Sequence, residues 1–147
     1  MADETADVLL VEDSPDDAAF FVHTFEKARL PARLHVLPDG AEALEFAFCT
    51  GRYACRKPAN RPKVIFLDLK LPKVNGLEVL RRLKADPRTR AIPVVVWSSS
   101  QEAQDVVESY EIGINSDLVK PMDFDEFSGS VQMLGQYRLQ FNQTPKP

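Results

Sequence analysis

Short apolar runs alternate with helical patterns along this chain. Five of the runs have the continuous apolar character that strands take when both faces of a sheet are covered. They lie at about 8–12, 33–37, 64–68, 92–97 and 117–119. Because a helical pattern follows each run, the order is that of βα units, which build a parallel sheet. The pattern therefore predicts a single α/β fold with five strands and five helices.

Local signals indicate where several helices begin. Ser14-Pro15 fits an N-cap followed by proline at the first helical position. The fourth helix is expected over about 101–112, and the last near Asp123, which has the spacing of a capping box with Glu126. Residues 50–62 form a polar, basic loop that is long enough to be an insertion rather than a plain connection.

The ends of the chain differ from its centre. We expect a flexible N-terminus over 1–6, a folded domain over 7–135 and a C-terminal extension over 136–147. The extension carries aromatic and aliphatic side chains beyond the stripe that one helix needs to cover a small sheet: Tyr137, Leu139 and Phe141. From them we predict a homodimer whose two-fold contact involves the last strand and helix. The alternative is a tail that folds back on its own domain.

Composition narrows the class of protein. A net charge of −4 and a pI near 5.2 argue against binding to nucleic acid as the main activity. No apolar stretch approaches the roughly 18 residues of a membrane span, and the acidic N-terminus lacks the regions of a signal peptide. We therefore expect a cytoplasmic protein that binds no nucleic acid and no membrane.

The two cysteines, Cys49 and Cys55, offer little chemistry. No second cysteine pair exists, and His23 and His35 are not at finger spacing, so a zinc site is not expected. In a reducing compartment free thiols are the expected state, with a regulatory disulfide as the alternative. The pattern assigns no role to either thiol.

Chemically active side chains stand where the predicted strands end. Glu12 and Asp13 close the first apolar run, and Asp68 closes the third. Because neighbouring parallel strands end on one crevice, we expect the three carboxylates to converge there. They repel one another unless a cation neutralises them. Ser98 and Lys120 follow the fourth and fifth runs, and this set suggests a site that takes a phosphoryl group onto an aspartate.

These residues resemble the receiver domain of two-component response regulators, from Val8 to about Leu134. The matching elements are, in order, Glu12-Asp13, Asp68, Leu71-Pro72 with Gly76, Ser98, and Lys120-Pro121. The separations of 30 residues between Asp68 and Ser98, and of 22 between Ser98 and Lys120, also fit. The resemblance implies a flavodoxin-like, doubly wound parallel sheet with strand order 2-1-3-4-5 and an extended last helix.

The resemblance also implies a role for each site residue. Asp68 would be the phosphoacceptor, attacking a phosphohistidine to give an aspartyl phosphate. Glu12, Asp13 and Asp68, with the backbone carbonyl of Lys70, would hold Mg²⁺. Lys120 would place a point charge on the phosphoryl oxygens. Such a protein is a signalling phosphoacceptor rather than an enzyme, limited to self-catalysed transfer and slow autodephosphorylation.

The switch departs from the family pattern. Ser98 would bind the phosphoryl group once it is present, but the residue three before the lysine, usually aromatic, is Asp117. We expect phosphorylation to move the loop after Ser98 and a subunit interface without an aromatic rotamer change. The alternative is that Asp117 is an edge-strand charge that discourages unwanted pairing. Strand alternation turns Trp97 away from Ser98, so we expect Trp97 in the core.

Some stretches resemble one branch of the family, the response regulators paired with bacterial and cyanobacterial phytochromes. They are 93–100, 105–111 and Asn115. This resemblance implies a single-domain regulator whose partner is a sensor histidine kinase, most specifically a bacteriophytochrome. With about a dozen residues after the receiver, output would be a protein–protein event or phosphorelay.

Three other functions share features with this sequence. A degenerate receiver that binds partners without phosphorylation remains the main alternative. A haloacid-dehalogenase-like hydrolase needs a second Asp two residues after its nucleophile, where this chain has Lys70. A flavodoxin-like FMN carrier needs a loop that accepts phosphate after the first strand, and the acidic 14–17 segment would repel it.

Overall fold

The structure is a computed structural model that describes residues 8–30, 32–98, 103–120 and 124–141. The strands are β1 (Val8–Val11), β2 (Leu34–Leu37), β3 (Val64–Leu67), β4 (Val94–Ser98) and β5 (Ser116–Val119). The helices are α1 (Pro15–Lys27), α2 (Gly40–Phe48), α3 (Gly76–Ala85), α4 (Ala103–Ile112) and α5 (Phe124–Gln136). A 3₁₀ turn at Gly51–Tyr53 follows α2, and a π-helical turn at Tyr137–Phe141 continues α5.

The five strands form one parallel sheet in the order β2-β1-β3-β4-β5. Val11 at the end of β1 lies opposite Leu37 on one side and Leu67 on the other, so these three strands end level. The predicted α/β, flavodoxin-like fold with strand order 2-1-3-4-5 is confirmed. This order places β1 and β3 side by side at the centre of the sheet, where the first and third apolar runs end.

Element boundaries differ from the predicted ones by one or two residues. Glu12 and Asp68 lie just beyond their strands, and β4 begins at Val94 rather than at about residue 92. The later start of β4 follows from Pro93, which has no N–H to give to a ladder. Ser14 caps α1 as expected, with the N–H of Asp17 donating to its Oγ at 3.3 Å. Asp123, of the predicted capping box, lies outside the described residues.

Alternate residues of each strand feed two separate cores. Leu9 and Val11 pack with α2 and α3 on one face, whereas Val8 and Leu10 pack with α1 and α5 on the other. Trp97 belongs to the core between the sheet and α1 and α5 (hereafter the second core) and is 2% exposed, which confirms that it is buried as expected. Both faces of the sheet are therefore covered, as the continuous apolar runs predicted.

The C-terminal extension partly folds back on its own domain. Leu139, which we expected at a dimer contact, packs against the second core, and Arg138 is buried. The π-helical turn continues α5, so Leu139 stays near the sheet that α5 covers. This is why it packs on its own domain rather than being left free for a dimer contact. Tyr137 stays 49% exposed, and the side chain of Phe141 lies outside the described part of the chain. For Leu139, the structure favours the alternative of a tail packed on its own protomer.

The basic insertion is anchored rather than open. Tyr53 and Arg56 are buried, and the Tyr53 hydroxyl donates to Glu42 Oε2 on α2 at 3.1 Å. Cys49 is half-buried and Cys55 exposed, and both are free thiols. Among the helices that the structure describes, none is long and apolar enough to cross a membrane.

Candidate functional site

The level strand ends bring Glu12 and Asp68 together. The Asp68 N–H donates to the Val11 carbonyl at 3.1 Å, and the Glu12 N–H donates to the Leu37 carbonyl at 3.0 Å. Each residue thus extends the ladder one step beyond its strand, which places two carboxylates next to each other at the same edge. Glu12 is 2% exposed and Asp68 5% exposed, whereas Asp13 is exposed.

Three carboxylates meet at this edge. One oxygen each of Glu12, Asp13 and Asp68 lies within 4.8 Å of the others, as the sequence predicted for these three residues. Carboxylate oxygens are the ligands that hard divalent cations prefer, and a cation would relieve the mutual repulsion. The donor set therefore fits a divalent metal ion. Lys70 is close by, since its N–H donates to Asp68 Oδ1 at 3.1 Å; its carbonyl as a ligand stays a prediction.

Lys120 supplies positive charge to the carboxylates. Its Nζ lies 2.8 Å from Glu12 Oε1, 3.1 Å from Asp68 Oδ2 and 3.2 Å from Asp17 Oδ2. Burial alone would lower the pKa of Lys120, but the contacts with Glu12 and Asp68 outweigh it, and the pKa is raised. The side chain therefore stays protonated at neutral pH, as an electrostatic partner of Asp68 requires.

Asp17 was missed by the sequence analysis. It lies in the first turn of α1, four residues after Asp13. A signal was present, because the helix starts directly after Glu12-Asp13 and its first turn must therefore lie near the same strand edge. The pattern could not reveal the contact with Lys120, since those two residues are 103 positions apart.

Glu12 has an unusual electrostatic position. Desolvation by burial raises its pKa to about 7, with repulsion from Asp68 adding to this effect. The hydrogen bonds from Lys120 and from the Ser14 N–H act in the opposite direction without cancelling the rise. In the metal-free protein Glu12 is therefore a buried carboxyl that titrates near neutral pH.

This raised pKa predicts a pH-dependent stability difference. Between its ordinary pKa of 4.5 and about 7, folded Glu12 keeps a proton that the unfolded chain has lost. Stability from this group is present below pH 4.5 and falls as pH rises through 7. In EDTA, Glu12→Gln should match wild type at pH 5 and exceed it by roughly 2 kcal/mol at pH 8. Urea unfolding at both values measures this, and an equal difference at both would contradict it.

Two glycines let the loop after Asp68 pack against helix starts. The Gly76 N–H donates to the Leu69 carbonyl at 2.9 Å. A Cβ on Gly76 would lie 2.4 Å from the Asp68 carbonyl oxygen and 2.5 Å from the Leu69 Cα. A Cβ on Gly40 would stand 1.9 Å from the carbonyl oxygen of Val74. The loop is thus held between α2 and α3 by backbone contacts that a side chain would disrupt.

Gly76→Ala is expected to shift the backbone next to Asp68. Overpacking of this kind costs about 1–3 kcal/mol, and phosphoryl acceptance should fall about tenfold because misplacement of a reacting group is costly. Chemical denaturation and phosphorylation assays measure the two effects. Gly129→Ala is the matched control, because a Cβ there meets nothing within 4 Å and alanine favours a helix. Equal behaviour of the two variants would show that the tight contact is unimportant.

Ser98 and Asp117 were the predicted switch residues. Ser98 is the last residue of β4 and lies opposite Val119, the neighbour of Lys120. Its side chain lies outside the described part of the chain. Asp117 is a half-buried residue of the edge strand β5 and lies opposite Val96. The backbone therefore places Ser98 at the edge of the sheet that carries Asp68, and both switch roles stay predictions.

Comparison with known families decides what this arrangement is. The model of the response regulator receiver domain matches residues 8–132. The chain belongs to this family. Receiver-domain response regulators are generally signalling proteins rather than enzymes, and receiver domains bind a divalent metal.

Three solved receiver structures are similar to this one over nearly the full chain. The Mn²⁺-bound form of Rcp1, from Synechocystis sp., is 35% identical, with a TM-score of 0.84 over 94% of this chain and 97% of Rcp1. The phosphorylated cyanobacterial phytochrome response regulator RcpA is 32% identical, with a TM-score of 0.86 over 95% and 98%. The bacteriophytochrome response regulator AtBRR is 44% identical, with a TM-score of 0.75 over 95% and 97%.

Proposed function

We propose that this receiver is a single-domain response regulator that accepts a phosphoryl group on Asp68 from a sensor histidine kinase. The observation that carries the proposal is the convergence of Asp68, two further carboxylates and the Lys120 ammonium at one strand edge. Its output would be phosphorylation-dependent protein–protein interaction or phosphorelay, with residues 7–135 as the receiver.

The chemistry follows from the residues at the edge. A carboxylate oxygen of Asp68 attacks phosphorus, the P–N bond of the donor phosphohistidine breaks, and the imidazole leaves with the electron pair. Mg²⁺, held by Glu12, Asp13, Asp68 and the Lys70 carbonyl, would supply charge that offsets repulsion between the carboxylate and the phosphoryl group. Lys120 binds a phosphoryl oxygen as a second positive charge.

The phosphoryl group then acts as the signal. Ser98 donates its hydroxyl to another phosphoryl oxygen, and the segment after β4 follows it. With Asp117 at the position that is usually aromatic, the change reaches the β5 edge without a ring rotation. If Asp117→Tyr altered phosphorylation-dependent association strongly while Asp117→Ala did not, this part of the proposal would be wrong.

The partner is proposed to be a bacteriophytochrome kinase. RcpA and AtBRR, similar over 95% of this chain, are phytochrome and bacteriophytochrome response regulators, which supports this pairing. A homodimer through the β5–α5 side is part of the same proposal, because Tyr137 and Met133 are exposed there at 49% and 72%. We also propose a cytoplasmic location, because a bacteriophytochrome kinase would transfer its phosphoryl group inside the cell.

The test is phosphorylation by a small donor. The purified protein is incubated with acetyl phosphate, with Mg²⁺ or with EDTA, and its intact mass is measured. A Mg²⁺-dependent gain of one phosphoryl group is expected. A folded protein that takes no phosphoryl group under either condition would instead support a degenerate receiver that acts as a phosphorylation-independent binding module.

A further inference from the structure

Lys120 is shared between the strand edge and helix α1. Its Nζ lies 3.1 Å from Asp68 Oδ2 and 3.2 Å from Asp17 Oδ2. Glu12 adds the third contact, and in the described part of the chain these three are the carboxylates that contact Lys120. Asp17 differs from the other two because it does not belong to the carboxylate cluster that fits a metal ion. It therefore binds the lysine without being part of that cluster.

The three contacts differ in how readily they open. The Glu12 side chain is fully buried and Asp68 nearly so, whereas the Asp17 side chain is 47% exposed. A half-exposed carboxylate is screened by water and is solvated again at little cost when its partner leaves. A buried carboxylate left without its cation has no such compensation. The contact with Asp17 is thus the one that Lys120 gives up most easily.

We infer that Asp17 is a positioning residue that holds Lys120 in the resting protein and competes for it with the phosphoryl group on Asp68. This inference rests on the proposed function. When the Asp68 oxygen bonds to phosphorus and the donor's own bond to phosphorus breaks, the charge facing Lys120 rises from one negative charge on the carboxylate to about two on the phosphoryl oxygens. The ammonium moves to them, and its contact with Asp17 opens.

Trp97 lies where it can report this movement. Lys120 Nζ is 4.6 Å from the centre of the Trp97 ring. A cation over an indole face interacts with it electrostatically, so displacement of Lys120 changes the surroundings of the ring. Trp97 is the single tryptophan of the chain, and its emission therefore comes from this one position.

The experiment compares full-length variants with acetyl phosphate at saturating Mg²⁺. Asp17→Asn should accept the phosphoryl group about 2–5 times faster than wild type, the range that loss of a half-exposed ion pair supports. In the resting state its Trp97 emission should already be shifted toward that of phosphorylated wild type. Asp17→Glu keeps the charge and can reach Lys120, so both its rate and its emission should return to wild-type values.

Asp16→Asn is the matched control. Asp16 is an exposed carboxylate in the same first turn of α1, and its loss changes the net charge equally. It should leave both the rate and the emission unchanged. Equal acceleration by both substitutions would mean a general charge effect and would overturn the inference.

The two proposals fail in distinguishable ways. If wild type is phosphorylated but Asp17→Asn shows the same phosphorylation rate and the same Trp97 emission as wild type, the inference is wrong and the proposed function stands. If wild type takes no phosphoryl group, the proposed function is wrong. The resting emission of Asp17→Asn then still tests the inference, because an unshifted Trp97 signal would show that Asp17 does not hold Lys120.

Discussion

Replacing Asp68 with asparagine should abolish phosphoryl acceptance while leaving the fold intact. An amide cannot act as the nucleophile, because it lacks the anionic oxygen that bonds to phosphorus. The amide has the same shape, and its oxygen can still accept the Lys70 N–H that Asp68 Oδ1 accepts at 3.1 Å. The substitution loses the contact with Lys120 at 3.1 Å, but it also removes repulsion with Glu12. The two changes act in opposite directions on stability.

Intact mass after incubation with acetyl phosphate and Mg²⁺ measures this effect. Wild type should gain one phosphoryl group and Asp68→Asn none, with matching circular dichroism spectra. Asp16→Asn makes the same chemical change at an exposed position in the first turn of α1 and should keep the adduct. Persistence of the adduct in Asp68→Asn would place the acceptor elsewhere and would refute the assignment of Asp68.

Truncation of Phe21 should lower the free energy of unfolding more than any other substitution described above. Phe21 is fully buried on α1 and packs edge-on against Phe66 at 4.9 Å and Trp97 at 5.5 Å between ring centres. Phe21→Ala removes these contacts and leaves a cavity, which costs about 3–5 kcal/mol in the free energy of unfolding. The cavity would lie beside Trp97, against whose ring Lys120 stands.

Urea unfolding followed by circular dichroism measures the cost. Val107→Ala is the control, because Val107 is an exposed apolar side chain on α4, outside the proposed dimer contact, and its truncation should change stability by less than about 0.5 kcal/mol. If the two substitutions cost the same, the aromatic cluster would not be the main support of this face. Phe21→Ala should also slow phosphoryl acceptance, since the ring beneath Lys120 loses its neighbour.

The alternation of strand-like and helical patterns along the sequence predicts much of the fold. The side chains of a continuous apolar strand are all buried only where both faces of the sheet are covered, and the helices between the strands provide that cover. The polar residues that end these runs, Glu12 and Asp68, meet because β1 and β3 are neighbours, a strand order that the family resemblance implied and the structure shows. The aromatic Trp97 had to face the core by simple alternation.

Other features depend on contacts between distant parts of the chain. The Asp17–Lys120 pair joins residues 103 positions apart, and no local pattern signals it. The fit of Gly76 against the backbone after Asp68 is a matter of tenths of an ångström, which sequence spacing cannot resolve. Likewise, an apolar residue beyond the core stripe of α5 can be buried by a second protomer or by its own domain. The sequence favoured a dimer contact for Leu139, whereas the structure packs it on its own domain.

Periodicity in the amino-acid sequence predicts the α/β class of the fold, because it reflects burial over a few residues at a time. The strand order that brings Glu12, Asp68 and Lys120 to one edge was implied by the family resemblance. Three features required the folded chain: the contacts of Lys120 with three carboxylates and with Trp97, the rise of the Glu12 pKa to about 7, and the packing of Leu139 on its own domain. Burial and distance set the strength of electrostatic interactions, and both are defined only when distant parts of the chain have come together.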